Sequence, residues 1–264
     1  MNSYVNNQAD LKEFLQQNTD KSQSILRGVD LRGKNLAGYH FDFLSMELAQ
    51  FDGADLSGAK FNQVDMTNAS FRGANLAGAS FRFVRGGAVN WSDIQAEDAQ
   101  WDRSSLVESS FASANLKRAR LINCGLELVS FDDADLMLGS VAWSNLDRAT
   151  FRNTNLDQAE TIGTSLDNTD LSTARGFAFC REIVLEILKR HLDHDLPSMK
   201  WLGAVLLLRK WCYPVWVRLL KDDPTYYNKA VEIFQMYPAS GCLEAFIHKK
   251  DTVSPSSRRD EGGQ

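Results

Sequence analysis

The sequence predicts a mainly β solenoid followed by an all-α unit. Three observations carry this. Large apolar residues recur at every fifth position from Leu26 to Leu171. A small residue stands two places before nearly all of them. Beyond Leu171 the apolar spacing becomes helical, and all five prolines lie past residue 196. A helix needs a period of about 3.6 and a strand one of about 2, so neither explains a period of five. A chain that turns one bulky side chain inward every five residues is a coil with short flat sides and a bend at each corner.

Residues 1–23 read as a capping segment. Asp10-Leu-Lys-Glu13 has capping-box spacing, and Leu11, Phe14 and Leu15 share a face, which predicts a short N-terminal helix. Residues 24–175 hold the repeat. Of thirty inward positions, only Gly86, Ala96 and Thr161 are not large and apolar. The small position is Ala, Ser, Thr, Val, Gly or Cys except at Lys34, Tyr39, Leu44 and Ile94. The tract Arg85-Gly-Gly87 interrupts the core phase and reads as a local defect or bend. From Phe41 to Leu116, Phe or Trp alternates with Leu or Met, so like residues stack if a turn has an even number of sides.

Residues 176–250 change grammar. Cys180, Ile183, Val184, Ile187, Leu188 and His191 form one helical stripe. Trp201 to Trp211 is apolar nearly all round and predicts a central buried helix. Asp223-Pro224 reads as a helix start ahead of Tyr227, Ala230, Val231 and Phe234. A last short helix is expected over Gly241 to His248, and residues 251–264 are polar, with the composition of a disordered tail.

Composition excludes several functions. With 44% apolar and 24% charged residues, the 264-residue chain has the make-up of a soluble globular protein. The longest apolar run, Trp201 to Leu208, ends at Arg209 and Lys210, too short for a membrane span. The N-terminus lacks the pattern of a secretory signal. Cys124, Cys180, Cys212 and Cys242 have no metal-ligand spacing and suit a reducing, cytoplasmic location. The net charge of −5 argues against direct nucleic-acid binding. His191 and His194 could hold a metal, but no further ligand supports them, and histidine at a helix C-terminus suits the helix dipole. The sequence contains no nucleophile elbow, phosphate loop or dinucleotide fingerprint. We therefore expect no enzyme and no cofactor.

Segments such as ADLSGAKF (Ala54–Phe61), ANLAGASF (Ala74–Phe81) and ATFRNTNLDQA (Ala149–Ala159) resemble the pentapeptide-repeat family, A(D/N)LXX. That resemblance implies a right-handed quadrilateral β-helix with four pentapeptides per coil. At ~4.8 Å per coil, it is a rod roughly 35 Å long. Phe41, Phe61 and Phe81 would stack on one wall, with Phe51, Phe71 and Trp91 opposite. For this chain the expected role is a non-catalytic binding or scaffolding module whose rigid rod presents surface patterns to a protein partner. Some members resemble B-form DNA, bind DNA gyrase or topoisomerase IV, and protect cells against quinolones or gyrase poisons. That alternative would make a type II topoisomerase the partner. A duplex of this length carries roughly twenty charges, whereas the rod has 20 acidic residues diluted by 14 basic ones. The phase here also lacks the insertions that form projecting loops in the quinolone-resistance members. Family members often pair end to end, so a homodimer is a further expectation.

Two surface patterns nominate partner-binding residues. On the wall carrying Met46 and Leu106, Glu108, Glu127, Asp147 and Asp167 stand out, the last three sharing one phase in successive coils. On the next wall, Asp132 and Asp133 add charge. On the Phe41/Phe61 wall, Phe83, Ile122, Ala142, Trp143 and Ile162 take outward positions where polar residues are usual. Such clusters mark contact sites. Coverage by the chain's own C-terminal helices is the competing reading.

Overall fold

The computed structural model describes Leu11 and residues 26–191 and 224–244. Five three-residue strands, β1 (His40–Asp42), β2 (Lys60–Asn62), β3 (Ser80–Arg82), β4 (Gln100–Asp102) and β5 (Arg120–Ile122), form one parallel sheet in sequence order. Each of the first four pairs with the strand twenty residues on, as in Phe41↔Phe61 and Phe61↔Phe81. Isolated bridges extend the same step along the other sides, from Asp30↔Gln50 to Thr150↔Asp170 and Asn155↔Arg175. A twenty-residue turn with an inward residue every five has four sides, so the structure is a four-sided β-solenoid.

The repeat's residue types follow from where its backbone N–H groups go, since buried polar groups must be paired. Around Phe51, the inward N–H donates to Ser70 O at 2.7 Å and the corner Gly53 N–H to Arg72 O at 2.9 Å. Gln50 N–H donates back to Val29 O, and Ala54 N–H closes the turn onto Phe51 O. The fifth group, just after the inward residue, commonly finds the Asp or Asn side chain just before it. Asp55 Oδ1 accepts Ser57 N–H at 3.1 Å and Asn145 Oδ1 accepts Asp147 N–H at 3.0 Å. Many of the Asp and Asn residues flanking the core are thus turn acceptors.

Inside, the aromatic residues stack coil on coil. Phe41 lies 4.7 Å from Phe61, and Phe51 lies 4.6 Å from Phe71. Rings from opposite walls meet edge to face at about 6 Å, as Phe41 and Phe51 do at 6.2 Å. The expected defect at Arg85-Gly-Gly87 is absent: Asp65↔Arg85 and Arg85↔Ser105 keep the register, and Gly86 N–H donates to Ser105 O. The reason is volume. Gly86 and Ala96 share a coil with Trp91 and Trp101, both fully buried, and the two small residues make room for two indoles. Leu106 also crowds Gly86, its Cδ2 lying 3.0 Å from where a Cβ would stand. Gly86→Leu restores the repeat's pattern yet overfills this coil. Chemical denaturation is expected to show a loss of about 1–3 kcal/mol, and a gain would refute this account of the coil.

The solenoid ends at Gly176, the inward position after Leu171, with a φ of 73°. Its N–H donates to Ala239 O, and Phe177 opens a 3-10 turn (Phe177–Phe179) with its side chain fully buried. Helix α1 (Arg181–His191) then buries the expected stripe of Ile183, Val184, Ile187 and Leu188, with Lys189, Arg190 and His191 at its C-terminus, where the helix dipole favours cations. Helix α2 (Pro224–Gln235) starts at the proline that marked it and buries Ala230, Ile233 and Phe234. Leu11, at the other end, is helical and buried in the same core cluster as the first coil. The remainder of the N-terminal capping helix, the Trp201–Trp211 helix, Asp223, His194, Cys212, residues 245–248 of the last helix and the polar tail lie outside the described residues.

Candidate partner-binding face

The third residue of each side, two places after the inward one, is the corner. Its φ is near +60° throughout, from Phe43 at 59° to Asn168 at 57°. Glycine suits that conformation, asparagine and aspartate tolerate it, and bulky side chains are disfavoured there. Several corners nevertheless carry large apolar groups: Trp143 is 60% exposed, Phe43 48%, Leu138 47% and Leu128 45%. These residues oppose both backbone preference and solvation, the kind of cost that collects at functional surfaces.

Charge separates the two halves of the rod. Low on the Met46/Leu106 wall, carboxylates are neutralised by arginines one coil away. Glu47 pairs with Arg27 at 3.4 Å, and Asp65 pairs with Arg85. Elsewhere Arg72 meets Asp93, Arg118 grips Asp98 and Glu97, and Arg152 holds Asp132 at 2.6 Å. Burial pushes the Asp65 and Asp132 carboxyls up. Hydrogen bonds from Arg85 and Thr67, and from the Arg152 side chain and backbone, outweigh it and leave both below the usual carboxylate range.

Higher on the same wall the pattern stops. Among the described residues, Glu108, Glu127 and Asp147 make no ion pair. Asn145 Nδ2 donates to Glu127 Oε1 at 2.8 Å. Asp147 accepts from Ser165 Oγ and from Asp167 N–H, and Lys189 on α1 lies 3.7 Å from Asp167. Neutral donors, not arginines, thus stand between the carboxylates of this column.

The apolar residues converge on this wall from its corners. Trp143 stands on the edge shared with the Phe41/Phe61 wall, and Leu128 stands on the far edge, one coil below. The Trp143 indole lies across Gly163, so close that a Cβ there would collide with the ring. Ile162, 43% exposed, is the neighbouring residue; Ile122 is half-buried and Ala142 is buried. Above the column, a groove of about 480 Å³ opens between Gly163–Asp167 and α1, where Leu166 and Leu185 form its apolar part.

The structure therefore brings Glu127, Asp147, Asp167 and Trp143 together and places Glu108 and Ile162 beside them. It does not bring in the other candidates. Asp132 is held by Arg152, and Asp133 accepts from Asn153 Nδ2 at 3.1 Å on another wall. Phe83 sits lower on the Trp143 corner edge with Arg82 and Arg103 at 5.7 and 5.6 Å from its ring. Sequence reasoning missed Leu128 and Leu138. Both occupy the left-handed corner phase, and treating that phase as a separate column would have exposed them.

Groups with chemical potential elsewhere are engaged in packing. Burial pushes the Cys124 and Cys242 thiols up to about 12 and raises Cys180 as well. His191 Nε2 lies 3.2 Å from the Tyr237 hydroxyl. Among the described residues no cluster of His, Cys, Asp or Glu is placed to hold a metal, and no helix is long and apolar enough to cross a membrane.

A family model for pentapeptide repeats matches residues 49–82 and 142–175, in eight copies. No curated protein matches the sequence. Among solved structures, the chain is similar to full-length QnrB1, a plasmid-mediated fluoroquinolone resistance protein, at 14% identity over 64% of this chain and 100% of that one, TM-score 0.29. It is similar to HetL, a pentapeptide-repeat protein involved in heterocyst differentiation regulation in the cyanobacterium Nostoc sp. strain PCC 7120, at 18% identity over 57% and 88%, TM-score 0.22. It is also similar to Rfr23 from the cyanobacterium Cyanothece 51142, at 17% identity over 61% and 98%, TM-score 0.29.

Proposed function

We propose that this pentapeptide-repeat chain is a non-catalytic interaction module whose partner docks on the upper Met46/Leu106 wall and its apolar corners. The supporting observation is the contrast along that wall. Glu47 and Asp65 are neutralised by arginines, while Glu108, Glu127 and Asp147 are not, and these lie beside Trp143 and Leu128. Surface carboxylates left without cations next to exposed apolar groups serve neither folding nor solubility alone. The alternative, a DNA-shaped modulator of a type II topoisomerase, needs a continuous acidic surface, and Arg72, Arg118 and Arg152 interrupt it. Buried free thiols at Cys124, Cys180 and Cys242 support a reducing, cytoplasmic setting.

Trp143→Asp tests the face. The indole rests on the surface of the rod, so the variant is expected to stay folded, within about 1 kcal/mol of wild type by chemical denaturation. In affinity capture it should lose proteins that wild type retains. Leu138→Asp, a similarly exposed corner on a different wall, should keep them. Unfolding or aggregation of the Trp143 variant would show that the indole serves the fold. Equal capture by both variants would remove this face from the function.

A further inference from the structure

From the chemistry of this face we infer the class of its occupant: a cationic amphipathic segment of a partner protein, with Lys or Arg side chains on the carboxylate column and one bulky apolar side chain in the groove below α1. The inference rests on the docking face proposed above and adds the partner's chemistry.

Charge complementarity comes first. Glu108, Glu127 and Asp147 have no cation within ion-pair distance among the described residues, and Asp167 has only Lys189 at 3.7 Å. Asn145 engages Glu127 Oε1 while Glu127 Oε2 is buried, and Asp147 Oδ1 accepts from Ser165 and Asp167, so the exposed Glu108 and Asp167 are the carboxylates most open to incoming cations. An acidic partner, nucleic acid included, would meet repulsion here.

Shape comes second. The groove of about 480 Å³ ends the column, with Leu166 and Leu185 for an apolar side chain, while at its rim Glu182 pairs with Arg181 at 3.2 Å and Glu186 with Lys189 and Arg190 at 3.4 and 2.9 Å. At that volume it admits a bulky apolar side chain with part of its flanking backbone, not a helix-length segment. Trp143 flanks it with one indole face on Gly163 and the other toward solvent. An aromatic ring already seated on backbone gives up little rotamer freedom on binding, which is what an interface anchor requires. Acid column, apolar pocket and fixed indole together select a segment that alternates basic and bulky apolar residues, as one face of an amphipathic helix does.

Two fluorescently labelled probes test this: an amphipathic peptide built only of Leu and Lys, and its Leu/Glu counterpart, each titrated into the full chain by anisotropy. The Leu/Lys peptide is expected to bind, more weakly as salt rises, and the Leu/Glu peptide not to bind. Glu108→Gln with Asp167→Asn should weaken binding about tenfold, two exposed charge pairs' worth. Gly163→Ala displaces the indole, changes no charge, and should weaken it severalfold. Equal binding of both peptides, or an unchanged affinity in the Gln/Asn variant, would overturn the cationic assignment. If Trp143→Asp still loses its captured proteins in that case, the docking face survives and only the partner class falls.

Other occupants give separate results. The chain's own stretch from Met199 to Lys221 has five basic residues, three tryptophans and no acid. If Arg209→Gln with Lys210→Gln tightens peptide binding tenfold, that stretch competes for the face in cis and a partner in trans is refuted. A dimer by light scattering that Trp143→Asp dissolves would assign the face to a second copy instead.

Discussion

Phe81→Ala is expected to cost about 3–5 kcal/mol of unfolding free energy. Phe81 is fully buried in β3 and stacks on Phe61 at 4.7 Å below and Trp101 at 4.9 Å above. It also meets Phe71 and Trp91 edge to face at 6.3 and 5.2 Å. Truncation breaks one stack and removes the edge contacts with the opposite one, and the parallel ladder on either side resists collapse into the hole. In a solenoid each coil contacts only its neighbours, so a cavity at this level weakens the coupling between the two halves. Urea denaturation followed by both tryptophan fluorescence and far-ultraviolet circular dichroism reads the effect. Transitions that coincide in wild type should separate in the variant. A loss below about 1 kcal/mol would mean that the aromatic stacks do not hold the coils together.

Arg190→Met is expected to cost about 2–3 kcal/mol, concentrated at the C-terminal end of the rod. The last coil has no successor to pair with, the standing problem of a solenoid terminus. From α1, the Arg190 guanidinium donates to Thr169 O and Leu166 O, each at 2.8 Å, and to Thr169 Oγ1 at 3.0 Å, while Glu186 accepts from its Nε at 2.9 Å. Methionine keeps much of the apolar stem and removes every one of those donors. Because the side chain is about a quarter exposed, water compensates part of the loss, which keeps the figure below that of a deep ion pair. Amide hydrogen exchange should accelerate over residues 161–175 and stay unchanged near β1. Uniform acceleration along the rod, or none, would contradict a local capping role.

The solenoid was legible because its signal is repeated. Every fifth residue had to be bulky and the one two places earlier small, and a single register satisfies all coils at once. The stripe of α1 and the proline start of α2 were legible for the same periodic reason. The tract around Gly86 was misread because the inward phase was followed one position at a time. Its compensation lies five residues on either side of Ala96, in Trp91 and Trp101, and volume is conserved per coil and not per position. The binding candidates were half legible. Charge and apolar exposure were visible as separate patterns on separate walls, and they meet only at a corner.

The sequence by itself determined the period, the inward set, the turn residues and where the repeat stops, because these depend on local sterics and on burial repeated along the chain. Tertiary structure decided which carboxylates have a cation beside them. Asp65 and Asp147 stand on the same wall and are the same residue type, yet one has Arg85 in the next coil and the other has Ser165 and Asp167. That difference is set by neighbours twenty residues away in sequence and one strand spacing away in space, which is where the electrostatics of a parallel ladder reside.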